Sequence, residues 1–204
     1  MKILEQIIII SCLILLFNSS LFAQEEEKEL KLSLQTDLLA YTTSGGWSLW
    51  GMAQHKQNRL ALAFINYPNR GKDTYEETGI KENIRFARLQ LARHFKPTSK
   101  MKNFFYGINI EHHWRELEED NNPDEILNDT NWQGGLFVGF DWYPWSKKEN
   151  ALQNISIIPW VGGNYVFNSG EQARVFENTG NVHDIPNFIR RTLGLNISYT
   201  FFKN

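Results

Sequence analysis

The sequence predicts an all-β protein, an eight-stranded antiparallel up-and-down transmembrane β-barrel preceded by a cleavable signal peptide. Three observations carry this reading. First, the closing stretch Phe188–Phe202 (FIRRTLGLNISYTFF) alternates with period two from Arg191 onward. Leu193, Leu195, Ile197, Tyr199 and Phe201 point one way, and Gly194, Asn196, Ser198 and Thr200 the other. A half-buried strand needs that pattern because successive side chains leave opposite faces of the pleat. Here the bulky face is apolar and the polar face is small, which suits lipid outside and a narrow polar interior. Second, after the first strand the polar breaks run short, long, short, long, short, long, as turns at one end of a barrel and loops at the other would. Third, aromatic residues fall near the strand ends. Tyr67, Trp114, Trp132 and Tyr165 lie toward the long loops, and Phe104, Trp142, Tyr199 and Phe201 toward the short turns, as two interfacial girdles do.

The N-terminus reads as a signal peptide over residues 1–23. Lys2 is followed by an apolar run from Ile7 to Phe17, too short for a membrane span, and Leu21-Phe22-Ala23 ends it with cleavage expected after Ala23. Cys12, the single cysteine, follows Ile9-Ile10-Ser11 in the manner of a lipidation site. The apolar residues Leu13 to Phe17 directly after it argue for the cleavage site instead. Cleavage there leaves no cysteine, hence no disulfide framework and no thiol chemistry. Residues 24–29 (QEEEKE) form an acidic leader, and residues 30–204 form the barrel domain.

The expected strands are Leu30–Ala40, Trp47–Gln54, Arg59–Tyr67, Ile84–Phe95, Phe104–Arg115, Trp132–Tyr143, Ile155–Phe167 and the closing stretch. In the first, Leu32, Leu34 and Leu38 oppose Ser33, Gln35 and Asp37. In the sixth, Trp132, Leu136, Val138, Phe140 and Trp142 oppose Gln133, Gly135, Gly139 and Asp141. Thr42–Gly46, His55–Asn58, Lys96–Ser99 and Lys147–Gln153 are turns; Pro68–Glu82, Glu116–Thr130 and Asn168–Asn187 are long polar loops. Pro159 cannot donate to a ladder, so a bulge is expected there. No helical pattern of useful length appears outside the signal peptide. An even strand count puts both termini at the short-turn end, as suits a chain inserted from the periplasm.

The formal net charge of -2 and the lack of a basic cluster in the sequence exclude nucleic acid as a partner. The architecture resembles the small eight-stranded outer-membrane barrels of the OmpA and OmpX type from Gram-negative bacteria, over the whole mature chain. The most specific likeness is the closing strand. Thr192-Leu193-Gly194-Leu195-Asn196-Ile197-Ser198-Tyr199 is similar to the terminal signal of such families: polar, any, Gly, two of any, apolar, any, aromatic. Phe201 continues it, although Lys203 and Asn204 follow where those chains usually stop at the aromatic. The resemblance implies residence in the bacterial outer membrane as a monomer, after export through the periplasm. It also implies insertion by the outer-membrane machinery through the C-terminal strand, and outer-membrane lipids and lipopolysaccharide as partners. No peptidoglycan-binding domain is expected.

No catalytic, cofactor-binding or metal-ligating residues are assigned, no cofactor is expected, and the function read from the sequence is structural or interactive rather than enzymatic. Asp37, Arg88, His94, Glu111, His113, Arg115 and Asp141 share the interior face. Buried charges need partners, so these should form a network, for example Arg88 with Glu111, that plugs a lumen which eight strands leave narrow. The alternative is a gated pore for small solutes. His112 lies on the lipid side near the outer leaflet and invites comparison with barrels that modify lipid A. A deacylase-type site would need a serine two residues on, where Trp114 stands. Glu118-Glu119-Asp120-Asn121-Asn122 offers hard oxygens without the ligand spacing of a calcium loop, and reads as a charged loop facing lipopolysaccharide. Gly134, Gly135, Gly162 and Gly163 precede no helix and so are no phosphate cradle; they relieve crowding or permit bending. A soluble periplasmic lipocalin-like barrel would place its large apolar residues inside, against the pattern seen.

Overall fold

A computed structural model describes residues 30–68, 80–98, 100–119, 122–169, 173–175, 182–184 and 189–203. The signal peptide, Cys12 and the acidic leader lie outside these residues. Strands β1 (Leu30–Asp37), β2 (Trp47–His55), β3 (Asn58–Tyr67), β4 (Ile80–His94), β5 (Phe104–Glu119), β6 (Asn122–Phe140), β7 (Ile155–Ser169) and β10 (Ile189–Lys203) form a closed barrel in the order β1-β10-β7-β6-β5-β4-β3-β2. Every neighbouring pair is antiparallel. Two short strands, β8 (Ala173–Val175) and β9 (Val182–Asp184), form a separate hairpin between β7 and β10. Both ends of the barrel sequence meet at the short-turn end, where Lys31 of β1 lies opposite Lys203 of β10.

The closing strand follows its sequence pattern. Leu193, Tyr199 and Phe201 are exposed on the outside, while Asn196 and Ser198 are buried. The same division holds around the ring. Leu34, Leu49, Leu62, Phe64, Leu136, Val138 and Val161 are exposed, and Ser33, Gln35, Arg88, Asn109, Glu111, Gln133 and Asn164 are buried. In water this surface would be costly, since each exposed large apolar side chain forgoes roughly 1.5–3 kcal/mol of burial. Hydrocarbon around the barrel removes that penalty.

Several sequence expectations are corrected. The first strand stops at Asp37 rather than Ala40, and Leu38–Ser44 forms a helix, α1. Asp37 caps it by accepting from the Leu39 N–H at 2.9 Å, and Gly45, at φ 62°, ends it in the left-handed region that favours glycine. Leu38 therefore leaves the strand face, and the presumed turn over Thr42–Gly46 is the end of this helix. The expected loop Glu116–Thr130 is mostly sheet: β5 runs on to Glu119 and β6 begins at Asn122, with a register shift between Glu118 and Glu119. Its polar residues misled because their alternation continues beyond the apolar band. Glu82 likewise belongs to β4, and Asn168 and Ser169 to β7. The strict alternation of short and long breaks is lost with these changes, because only residues 120–121 separate β5 from β6 whereas residues 141–154, with a turn of 3-10 helix over Ala151–Asn154, separate β6 from β7.

Pro159 produces no bulge against β10, where register runs unbroken through Leu195↔Pro159. Ile157 exchanges both its backbone hydrogen bonds with Trp142 across from β6, so Pro159, two residues on, also turns its backbone nitrogen to that side. There the β6 ladder ends at Gly139↔Trp160 and resumes only as the bridge Trp142↔Ile157. The missing donor falls in the gap. The bulge on this pair lies elsewhere, between Trp132 and Gln133.

The interior also contains large aromatic residues that the small-polar reading did not foresee: Trp50, Phe86, Phe105, Phe137 and Trp160 are buried. They fit because glycines face them. A Cβ built at Gly139 would run into the Phe105 ring, and one at Gly194 into the Trp160 indole. Gly135 and Gly162 are crowded in the same way, by Asn164 and by Phe137 with the Leu136 carbonyl, which matches the crowding expected of them. Gly194→Val should therefore displace Trp160 and destabilise the barrel by about 1–3 kcal/mol, as overpacking does. Urea unfolding followed by tryptophan fluorescence in detergent reads this directly; an unchanged midpoint would contradict the packing.

Candidate functional site

The polar interior is the feature that could bear function, and it is arranged in three clusters along the barrel. Nearest the short turns, Asp141 receives Arg59 Nη1 at 3.2 Å and lies 2.7 Å from His94 Nε2. Arg59 starts on β3 and reaches Gln35 of β1 at 3.3 Å; Asn196 of β10 donates to the same Gln35 oxygen at 3.2 Å. The guanidinium also sits 4.7 Å above the Phe105 ring.

The middle cluster centres on Glu111. Arg88 Nη2 lies 2.8 Å from one carboxylate oxygen and His113 Nε2 2.7 Å from the other. Asn109 donates to the first oxygen at 2.8 Å, as does Asn164 from β7. The cross-strand register explains why Arg88 and Glu111 meet: they are direct partners on β4 and β5, and both face inward. The expected pairing is thus present. Arg88 further lies between aromatic rings, 5.4 Å from Trp50, 5.2 Å from Phe86 and 4.7 Å from Trp160. Phe86 in turn stacks on His113 with centroids 4.5 Å apart.

Nearest the long-loop end, Arg115 lies between Glu82 and Asp129, at 3.4 Å from the first and in direct contact with the second. Asp37, also expected in the interior, is buried but spends its carboxylate on the backbone, capping α1 and accepting from the Leu195 N–H.

Sequence reasoning found Arg88, His94, Glu111, His113, Arg115 and Asp141, put Gln35 on the polar face of its strand without a partner, and missed Arg59, Glu82, Asp129, Asn109, Asn164 and the aromatic partners. A signal for the latter existed. Trp50, Phe86, Phe105 and Phe137 stand in phase with polar or glycine neighbours two residues away, and that marks the inner face.

On the outer surface, His112 lies between Trp114 and Trp132, each with its ring centroid 4.5 Å away. Trp114 continues to Phe64 at 6.4 Å and Phe64 to Trp47 at 5.7 Å, so aromatic rings run in series across the outside toward the long-loop end. Trp114, Trp132 and Tyr165 are exposed as expected of a girdle. Tyr67 is not among them. It turns inward and packs against Phe86 at 5.8 Å. Phe104, Trp142, Tyr199 and Phe201 are exposed toward the other end. Of the expected acidic loop cluster, Glu118 and Glu119 belong to β5, while residues 120–121 lie outside the described ones. Among the described residues no group of three or more His, Cys, Asp or Glu side chains could hold a metal ion.

An eight-stranded antiparallel ring, apolar outside and polar within, is the construction of an outer-membrane β-barrel. Solved structures similar to this chain are of that kind. Neisserial surface protein A is 12% identical, with 85% of this chain and 95% of that one covered at a TM-score of 0.48. The major outer membrane protein from Thermus thermophilus is 14% identical, with 86% and 100% covered at 0.42. The N-terminal β-barrel domain of Pseudomonas aeruginosa OprF is 10% identical, with 87% and 100% covered at 0.39. No protein-family model matches the chain, and no curated protein matches it in sequence.

The middle cluster makes a clear prediction. Glu111→Leu strips Arg88 of its carboxylate while leaving it buried, and should cost about 3–5 kcal/mol, the usual cost of breaking a buried pair. Arg88→Met combined with Glu111→Leu should restore much of that loss. A double-mutant cycle on urea midpoints, completed by Arg88→Met alone, checks both; a loss in the double variant equal to the sum of the two single losses would show that the pair is not coupled.

Proposed function

We propose that the chain is a monomeric outer-membrane barrel whose lumen is closed by its own side chains, with a structural or interactive role rather than transport or catalysis. The observation that carries this is Arg88. From β4 its guanidinium lies 4.7 Å from Trp160 on β7, two strands beyond its neighbour β5 in the ring, and it also touches Trp50 on β2. Trp50 and Trp160 lie edge to face at 6.5 Å, and Trp160 continues through Phe137 to Phe105 at 6.3 Å and 6.1 Å. Rings held in series across so narrow an interior, with a cation buried among them, favour closure over passage. The bilayer is then the principal partner, with lipopolysaccharide around the long-loop end. The C-terminal strand, its aromatics exposed on the outer face, serves as the insertion signal.

Catalysis on lipid is not favoured. His112 is flanked by indoles on both sides, the surroundings of an interfacial anchor rather than of a general base with a nucleophile.

Planar-bilayer recording tests the closed lumen. The wild type, first verified as folded by its heat-dependent gel mobility, should give no discrete current steps. Trp50→Ala with Trp160→Ala should introduce them. Stable steps from the wild type would reject closure and favour the narrow pore.

A further inference from the structure

We propose that the short-turn end of the barrel is a docking surface for the headgroups of acidic phospholipids in the leaflet that meets it. This rests on the membrane-barrel reading above. The net charge of -2 conceals a separation of charge along the barrel. Toward the long-loop end, Glu82, Glu116, Glu118, Glu119, Asp124, Glu125 and Asp129 of the barrel strands stand against Lys81, Arg85, Arg115, Arg190 and Arg191, a modest acidic excess. At the opposite end, over the described residues of the turns after β4 and β6, the balance inverts. Arg93, at the end of β4, is half-buried; Lys96, Lys100 and Lys102 follow β4, and Lys147 and Lys148 follow β6, all five exposed. In the two connecting segments, over their described residues, Glu149 is the exposed carboxylate; Asp141 is buried against Arg59.

These cations come from separate parts of the sequence, and backbone hydrogen bonds hold them on one face. The Asp141 N–H donates to the Asn103 carbonyl at 2.9 Å, joining the segment after β6 to the turn between β4 and β5. The His94 N–H donates to the Gln57 carbonyl at 2.8 Å, joining β4 to the turn between β2 and β3. Exposed aromatics stand among the lysines: Phe95, Phe104, Trp142 and Trp145. Indole and phenyl rings in that setting settle at headgroup depth. Lysine stems can lie along them and carry their ammonium groups to the lipid phosphates, well within the distance over which salt leaves such attraction intact. A purely solvated turn would have no use for the tryptophans. A soluble acidic partner would have no use for a ring of apolar residues at the same level.

The test reconstitutes the chain, purified from membranes, into phosphatidylcholine vesicles containing dibrominated phosphatidylglycerol or dibrominated phosphatidylcholine, and follows quenching of tryptophan. Phosphatidylglycerol should occupy the barrel surface with a relative binding constant about five-fold higher, the order expected of one lysine–headgroup attraction. High salt should bring the two lipids to parity. So should replacement of Lys96, Lys100, Lys102, Lys147 and Lys148 by Gln in a variant that keeps its heat-dependent gel mobility. Should that variant fail to fold, the salt titration of the wild type decides alone. Equal constants in the wild type at low salt overturn the docking surface while leaving the membrane barrel intact. A preference that survives high salt or the five replacements overturns it as well. Absence of quenching by either lipid overturns the membrane-barrel reading, and this inference with it.

Discussion

Everything in this molecule depends on the closure of one hydrogen-bonded ladder. In hydrocarbon an unpaired backbone N–H or C=O has no water to turn to, and each would cost several kcal/mol. A sheet can meet that requirement only by joining its first strand to its last, as β1 does with β10. Once eight strands are fixed, so is the width of the interior, and side chains must fill it. Large rings opposite glycines are the packing answer: Phe105 over Gly139 and Trp160 over Gly194 use space that any Cβ would occupy.

The same narrowness governs the charges. Arg59, Arg88 and Arg115 are all buried, and each lies within ion-pair distance of a carboxylate. Lysines would serve less well here, because a guanidinium is planar and can rest on a ring while its nitrogens reach a carboxylate. Arg88 does both at once, and Arg59 repeats the arrangement with Phe105 and Asp141. Polar and aromatic contents of the barrel are therefore one packing system rather than two.

Much of this was legible in the sequence, for a physical reason. Period-two alternation reports the inside and outside of a strand directly, so the outward leucines, the inward charges and the Arg88–Glu111 pair could be read before any fold was known. What could not be read was whatever depends on where the membrane stops. Polar residues on both faces of Glu116–Thr130 look like a loop, yet the ladder persists there because sheet hydrogen bonds do not need lipid. Leu38–Ser44 carries no amphipathic period at seven residues, and only its Asp37 cap and Gly45 terminus betray it as helix. Tyr67 sits at a strand end like a girdle residue, but its phase with buried Ile65 turns it inward. Neither do the basic turns form a cluster in the sequence, since two connections separated by all of β5 and β6 supply them.

The extension of β5 and β6 past the aromatic rings at the long-loop end has a consequence for how that end of the barrel would meet a partner. From Trp114 to Glu119 the strand rises about 3.4 Å per residue, so it continues on the order of 17 Å along its own axis past the girdle. Along that length Leu117 is fully buried and the register with β6 is kept as far as Glu118. A flexible loop of the same composition would have to be frozen by whatever touched it, at a cost in entropy for each residue ordered. A laddered stem has settled that cost during folding. Contact with it then carries little further backbone-ordering cost, which is the advantage of preorganisation.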